Sequence, residues 1–184
     1  NLPIALTSFI GRARERAEVA RLLATTRLLT VTGAGGCGKT RLAIQVAREL
    51  LDCYPDGIWW VELAALRDPA HVAQAVAKVL HVEQGVQPSV TDALVHSLLP
   101  QRLLLMLDNC EHLVTACAEL AERLLSQCPA LQILATSREA LDIAGEVSWL
   151  VPSLTLPAPQ QHAASADYLQ FEGIRLFVER ASAV

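Results

Sequence analysis

The sequence predicts an α/β domain of three layers, with helices covering both faces of a parallel sheet. Five short segments are mostly apolar at successive positions, which is typical of strands buried on two faces. Longer segments with helical spacing of apolar residues separate them. Apolar residues make up 52% of the 184 residues, enough for one substantial core. The predicted strands are 28–32, 58–63, 103–107, 131–135 and 147–151, and the predicted helices are 11–24, 39–51, 69–80, 90–99 and 112–127.

A domain boundary is predicted near the C-terminus. Residues 152–165 are rich in Pro, Ala, Ser and Gln without periodicity, which indicates a linker. Helical spacing resumes at Tyr168, and we interpret that segment as the first helix of a helical subdomain. We therefore assign residues 1–156 to the main domain and 157–184 to the linker and that helix. Because the sequence starts without Met and ends within a helix-like pattern, we expect a longer polypeptide.

Charge and hydropathy exclude several classes of partner. The net charge is −4 and the 15 basic residues are spread along the chain, so no direct binding to nucleic acid or to an anionic membrane is expected. No apolar run is long enough for a membrane span, and the N-terminus does not resemble a signal peptide. These features predict a cytoplasmic protein.

The five cysteines do not indicate a metal site. They are odd in number and contain no CxxC pair, which argues against disulfides and against zinc. Cys110 and His112 lie close together in sequence, but nothing follows them at ligand spacing. We interpret these residues as packing residues.

Residues 33–40, GAGGCGKT, match the phosphate-binding pattern G-x-x-x-x-G-K-[ST] directly after a predicted strand and before a predicted helix. In such a loop, backbone N–H groups and the helix N-terminus surround the phosphates. Lys39 would neutralise the β- and γ-phosphate oxygens, and the Thr40 hydroxyl would ligate Mg²⁺. The sequence therefore predicts binding of ATP or ADP with Mg²⁺. The predicted loop contacts are Gly33, Ala34, Gly35, Gly36, Cys37 through its backbone N–H, Gly38, Lys39, Thr40 and Arg41.

The same glycines also permit a dinucleotide-binding interpretation. Gly33, Gly35 and Gly38 satisfy G-x-G-x-x-G, and Glu62 ends the next strand, where such folds carry a ribose-binding acid. This alternative leaves Lys39 and Thr40 unexplained. It also does not predict an acidic residue at the end of the third strand.

Asp108 follows that third strand and resembles the acidic residue of a Walker B segment. At the carboxyl edge of the sheet it would hold Mg²⁺ through the water shell of the ion. Asn109 can orient a water molecule but cannot accept its proton, and the direction of Glu111 is open. We therefore expect slow ATP hydrolysis, with nucleotide binding without turnover as the alternative.

The fourth predicted strand leads into Thr136, Ser137 and Arg138 at the same edge. An arginine there can sense the γ-phosphate through charge-assisted hydrogen bonds. The predicted catalytic residues are Lys39, Asp108, Asn109 and Arg138.

Four segments together resemble the NB-ARC-type nucleotide-binding domain of the STAND signalling ATPases, in particular of large ATP-binding bacterial transcriptional regulators. They are FIGR at 9–12, GAGGCGKT at 33–40, LDNCEH at 107–112 and ATSRE at 135–139. The resemblance implies a P-loop NTPase fold with sheet order 5-1-4-3-2. It also implies that the FIGR segment lies over the adenine and supplies Ile10, Gly11 and Arg12 to the nucleotide.

The resemblance further implies a regulatory switch. In this family ADP holds a closed monomer, and exchange for ATP permits self-assembly. The expected partners are ATP or ADP, other domains of the same polypeptide, and further copies in a nucleotide-dependent homo-oligomer.

Overall fold

The computed structural model describes residues 1–4, 7–157 and 167–182. Its five strands form one parallel sheet, which confirms the predicted α/β class. The strands are β1 (Leu28–Thr32), β2 (Ile58–Glu62), β3 (Leu104–Asp108), β4 (Gln132–Thr136) and β5 (Glu146–Leu150).

The strand order across the sheet is β2-β3-β4-β1-β5. It is the order 5-1-4-3-2 implied by the resemblance, read from the other edge. The third strand begins and ends one residue later than predicted, because Asp108 pairs in register with Glu62 of β2. Asp108 is therefore the last residue of β3 and is fixed by the sheet, rather than the first residue of a loop.

Six α-helices complete the described part of the chain. Four of them begin later than predicted, and two of these have a local cause. Gly11 and Arg12 have φ angles of 67° and 55°, so the first helix begins only at the next residue. The predicted helix 69–80 opens with a 3₁₀ turn that starts at Pro69 and is capped by the Asp68 side chain. The helices are α1 (Ala13–Leu23), α2 (Lys39–Glu49), α3 (Val72–Val79), α4 (Val90–Leu98), α5 (Val114–Gln127) and α6 (Glu172–Ser182).

The core has two parts, one on each face of the sheet. Successive residues of β3 point to opposite faces of the sheet and so contribute to both parts of the core. Leu105 and Leu107 pack with residues of α3, α4 and α5, whereas Leu104 and Met106 pack with residues of α1 and α2. A strand that is buried on both faces needs apolar residues at successive positions, which is why β3 is an unbroken apolar run. The predicted three-layer arrangement is confirmed.

The strand order decides which loops meet. β4 lies between β1 and β3, so the carboxyl ends of these three strands are neighbours. A dinucleotide-binding fold instead keeps its second strand beside its first. Here β2 lies at the edge beyond β3 and β4, so Glu62 is three strands away from β1. The dinucleotide-binding interpretation is therefore wrong for this topology.

The predicted linker lies mostly outside the described residues. Helical structure resumes with a 3₁₀ turn at Asp167–Gln170, followed by α6. Among the described helices, none has the length and apolar character that crossing a bilayer requires.

Candidate nucleotide-binding site

The loop between β1 and α2 has a backbone that requires glycine at three positions. Gly33, Gly36 and Gly38 have φ angles of 145°, 77° and 91°, in the region that other residues rarely adopt. A Cβ atom at Gly36 or Gly38 would meet nothing within 4 Å, so this side of the loop is open. The loop thus presents free backbone directly before the N-terminus of α2, where the helix dipole favours an anion.

Lys39, the first residue of α2, is buried beneath this loop. Its Nζ donates hydrogen bonds to the carbonyl oxygens of Gly33 at 2.9 Å and Ala34 at 3.1 Å. These bonds use two of the three donors of the ammonium group, which leaves one for an anion on the open side of the loop. The predicted contact between Lys39 and the phosphates stays a prediction.

Asp108 joins three strands through hydroxyl groups. Its Oδ1 accepts hydrogen bonds from Thr40 Oγ1 at 2.7 Å and from Thr136 Oγ1 at 2.6 Å. Thr136 Oγ1 in turn accepts a hydrogen bond from the backbone N–H of Asn109 at 2.9 Å. The predicted pair of Thr40 and Asp108 is therefore in direct contact. The sequence did not predict the hydrogen bonds of the Thr136 hydroxyl, because they depend on β4 lying beside β3 in the sheet.

The donor set of Asp108 and Thr40 fits a magnesium ion. Asp108 is 6% exposed and makes no ion pair within the described part of the chain. A buried carboxylate is costly unless a cation compensates its charge. Oxygen ligands from one carboxylate and one hydroxyl, completed by water and phosphate, are what Mg²⁺ prefers.

Arg138 lies against the phosphate-binding loop. One terminal guanidinium nitrogen lies 3.4 Å from the position that a Cβ at Gly35 would occupy. Its Nε donates to Oε1 of Glu111 at 3.2 Å, although two thirds of the Arg138 side chain stays exposed. The structure therefore brings Arg138 to the loop, as predicted, and pairs it with Glu111, which the sequence did not indicate.

The FIGR segment, residues 9–12, forms one wall of a cavity of about 510 Å³. The loop at Gly36 and Gly38 lines a second side, and α6 lines the third. Ile10 and Arg12 both line this cavity, and the nucleotide contact that the resemblance implies for them stays a prediction. A volume of this size suits a nucleoside.

Arg12 is the most constrained residue of that wall. It is 6% exposed, and one terminal guanidinium nitrogen donates to the carbonyl oxygen of Cys37 at 2.9 Å. The other terminal nitrogen is buried without a hydrogen-bond partner among the described residues. A buried unpaired donor is unfavourable, so this nitrogen is suited to an acceptor on a ligand in the cavity.

Arg41 has a structural contact that the sequence did not predict. Its guanidinium donates to Oγ1 of Thr7 at 2.9 Å and to the carbonyl oxygen of Ser8 at 2.7 Å. These bonds tie the segment before Phe9 to α2. Arg41 also lines the cavity, and its predicted contact with the nucleotide stays a prediction.

Helix α6 closes the cavity by contacts with the same N-terminal segment. Oε1 of Glu172 accepts a hydrogen bond from the backbone N–H of Arg12 at 2.5 Å. Arg180 donates to the carbonyl oxygen of Ser8 at 3.2 Å. Gly11 has a φ angle of 67°, which favours glycine, and a Cβ there would also force the Glu172 carboxylate to move. Sequence reasoning missed Glu172 and Arg180, because the helical pattern gives no sign of where the helix docks.

Cys110 is unsuited to metal binding or nucleophilic chemistry. A hydrogen bond with Cys117, followed by burial and the nearby carboxylates of Asp108 and Glu111, raises the pKa of Cys110 well above its usual range. The thiol therefore stays protonated at neutral pH. His112 is also occupied, with its Nε2 2.7 Å from the carbonyl oxygen of Leu66.

Replacement of Thr136 by Val tests the hydroxyl bridge. The variant leaves the N–H of Asn109 without its acceptor and removes one of the two donors to Asp108. Because an unpaired buried polar group costs about 1–3 kcal/mol, we expect the free energy of unfolding to fall by about that amount in denaturant titrations. Thr136→Ser keeps the hydroxyl and should lose less. A larger loss in Thr136→Ser than in Thr136→Val would assign the effect to the methyl group.

Comparison with known proteins agrees with this site. The sequence model of the NB-ARC domain matches residues 15–151. An uncharacterized protein of Mycobacterium tuberculosis is 41% identical over 181 residues, covering 97% of this chain and 42% of its own length. A protein of the same organism named "Putative HTH-type transcriptional regulator" is 42% identical over 165 residues, covering 89% of this chain and 17% of its own length. This chain thus spans less than half of either relative.

Two solved structures share the fold. A STAND protein with a tetratricopeptide repeat sensor from Pyrococcus horikoshii superposes with a TM-score of 0.60 at 15% identity, covering 85% of this chain and 25% of its own. Cdc6p from Pyrobaculum aerophilum superposes with a TM-score of 0.57 at 14% identity, covering 100% of this chain and 52% of its own. With its phosphate-binding loop, its strand order and the match over residues 15–151, the chain belongs to the NB-ARC family of nucleotide-binding P-loop domains.

Proposed function

We propose that the chain is the regulatory switch module of a signalling ATPase. It binds ATP or ADP with Mg²⁺, hydrolyses ATP slowly, and so controls the conformation and self-assembly of a larger regulator. One observation carries this proposal: Thr40 of the phosphate-binding loop and Asp108 of β3 share a hydrogen bond of 2.7 Å at the carboxyl edge of the sheet. A loop that binds phosphates and a carboxylate suited to Mg²⁺ therefore form one site.

The nucleotide would occupy the loop and the adjoining cavity together. Backbone N–H groups from Gly33 to Thr40 and the N-terminus of α2 would bind the phosphates, with Lys39 against the β- and γ-oxygens. Thr40 and Asp108 would hold Mg²⁺, which supplies neutralisation of phosphate charge. The base and ribose would lie in the cavity under Ile10, Gly11 and Arg12, with the unpaired nitrogen of Arg12 as a donor.

The switch requires that ATP and ADP stabilise different conformations. Arg138 is the cation suited to the γ-phosphate, because it touches the loop at Gly35 and most of its side chain is exposed. On the other side of the cavity, Glu172 and Arg180 link α6 to the N-terminal segment. We assign α6 to a helical subdomain that begins after residue 156, through which a change at the nucleotide would reach other domains. The relative named as a transcriptional regulator supports transcription control as the output.

A binding module without turnover is the second candidate. Asn109 favours it, because this residue stands directly after Asp108 and has no group that accepts a proton from water. In that case the exchange of ADP for ATP alone would set the conformation. The two candidates share the nucleotide site and differ only in hydrolysis.

Lys39→Ala tests nucleotide binding. Hydrogen bonds to charged groups contribute about 1.5–3 kcal/mol, so we expect ATP affinity to fall roughly 10- to 100-fold in calorimetric titrations. Lys78 lies exposed on α3, away from the site, and Lys78→Ala is the matched control. Titrations with ADP, GTP and NAD define the ligand class. Binding of NAD, or unchanged affinity in Lys39→Ala, would overturn the proposed site.

Asp108→Ala separates the two candidates. If the chain hydrolyses ATP with Mg²⁺, the variant should lose at least about 100-fold in a single-turnover assay, since metal-assisted charge neutralisation is removed. Asp52 lies exposed in the 3₁₀ turn after α2, and Asp52→Ala should retain the wild-type rate. Equal rates for the wild type and Asp108→Ala would favour binding without turnover.

Arg138→Ala tests recognition of the γ-phosphate. Because only ATP carries that group, we expect ATP affinity to fall about 10-fold while ADP affinity changes less than about 2-fold. Arg67 is exposed in a loop, and Arg67→Ala serves as the charge-matched control. Equal losses for ATP and ADP would contradict a sensing role.

A further inference from the structure

We propose that Glu111 is the residue that accepts the proton of the attacking water, and that Arg138 restrains it until a γ-phosphate draws Arg138 away. This inference rests on the proposed ATP hydrolysis and assigns the proton acceptor that the residue after Asp108 does not supply. It also makes proton transfer depend on which nucleotide is bound.

Two other carboxylates at this edge of the sheet, those of Asp108 and Glu62, are unsuited. Oδ1 of Asp108 already accepts two hydroxyl hydrogen bonds, and this residue is the one suited to Mg²⁺. Glu62 ends β2, which is separated from β1 by two strands. At about 4.8 Å per strand, it lies roughly 14 Å from the strand that leads into the loop. Glu111 instead pairs with Arg138, whose terminal guanidinium nitrogen lies 3.4 Å from the position that a Cβ at Gly35 of the loop would occupy.

The Glu111 carboxylate has one oxygen unused. Oε1 accepts the hydrogen bond from Arg138, whereas Oε2 is buried without a partner among the described residues. The side chain is only 17% exposed. A buried carboxylate oxygen that lacks a donor is unfavourable, so the arrangement favours a donor brought in with the ligand. A water molecule beside the γ-phosphate is such a donor.

The backbone around Glu111 is fixed on both sides. Cys110 is fully buried, with its Sγ 3.4 Å from the carbonyl oxygen of Leu107. His112 contacts the carbonyl oxygen of Leu66. The 3₁₀ turn at Cys110–His112 is thereby held, and the carboxylate between these two residues has a defined position. A fixed position is what a general base requires.

The backbone conformation of Asn109 explains why the proposed proton acceptor is Glu111, two residues further along the chain, and not Asn109 itself. Asn109 adopts φ 66° and ψ 54°, a left-handed conformation that Asn tolerates better than most residues. Its N–H is bound to Thr136, which fixes the direction in which the chain leaves β3. We assign Asn109 the turn that presents Glu111, and we assign proton transfer to Glu111.

The chemical step balances with these groups. The water oxygen forms a bond to the γ-phosphorus, and the bond between that phosphorus and the β,γ-bridging oxygen breaks. The electron pair of that bond goes to ADP. Glu111 takes one proton from the water and later releases it to solvent, so the products are ADP and inorganic phosphate.

Arg138 makes this step depend on the γ-phosphate. Its guanidinium binds Glu111 through Nε, and because its side chain is mostly exposed it is free to turn toward the loop. Guanidinium groups pair strongly with phosphate through two parallel hydrogen bonds. A γ-phosphate would therefore take Arg138 from Glu111 and leave both carboxylate oxygens for the water. With ADP the pair would reform.

The test is Glu111→Gln in the full-length protein with ATP and Mg²⁺. We expect single-turnover hydrolysis to fall at least about 100-fold, while ATP and ADP affinities change less than about 3-fold. Affinity for ADP with aluminium fluoride, which mimics the transition state, should fall with the rate. Glu62→Gln, which removes another carboxylate at the same edge, should match the wild type.

Each outcome has a distinct meaning. If the wild type hydrolyses ATP and Glu111→Gln does so equally fast, Glu111 is not the proton acceptor and the proposed ATPase stands. If Glu111→Gln loses ATP affinity together with the rate, its role is structural and the inference is wrong. If the wild type is no faster than Asp108→Ala, hydrolysis itself is absent and both proposals fall.

Discussion

The contact on which this site depends is the pair of hydroxyl hydrogen bonds to Asp108. Thr40 comes from the helix after β1 and Thr136 from the end of β4, so one carboxylate oxygen ties together three neighbouring strand ends. The contact exists only because β4 lies between β1 and β3. It buries a negative charge beside the phosphate-binding loop, and a cation at the site would compensate that charge. Strand order thereby places together the oxygen ligands that suit a metal ion.

The parts that were predictable from sequence are those that follow from short-range patterns. The apolar run of β3 and the glycines of the loop follow from local rules of burial and backbone conformation. Lys39 and Thr40 follow from the same loop. The Glu111–Arg138 pair joins residues 27 positions apart and depends on how two loops leave adjacent strands. No periodic pattern in the sequence indicates that Glu111 and Arg138 are close. The pair can be predicted only when it is known that β3 and β4 are neighbours in the sheet.

The closure of the cavity by α6 could not be predicted from the sequence either. Glu172 and Arg180 appear there only as polar positions of an amphipathic helix. In the structure, Glu172 accepts a hydrogen bond from the backbone N–H of Arg12, and Arg180 donates one to the carbonyl oxygen of Ser8. Both residues therefore contact backbone groups of the N-terminal segment, and not its side chains. Backbone contacts of this kind leave no residue pattern on the partner segment, apart from the glycine at position 11.

These features fit the proposal that one domain serves both as a binding site and as a switch. Lys39 and Asp108 are buried and contact the fixed edge of the sheet, so their positions do not depend on which nucleotide is present. Arg138 is exposed and pairs with Glu111, and in the proposed function the γ-phosphate would be its second anionic partner. A group with two alternative partners is bistable, whereas a buried group with one set of partners is not. In the proposed switch, Arg138 is therefore the group whose partner would change with the nucleotide.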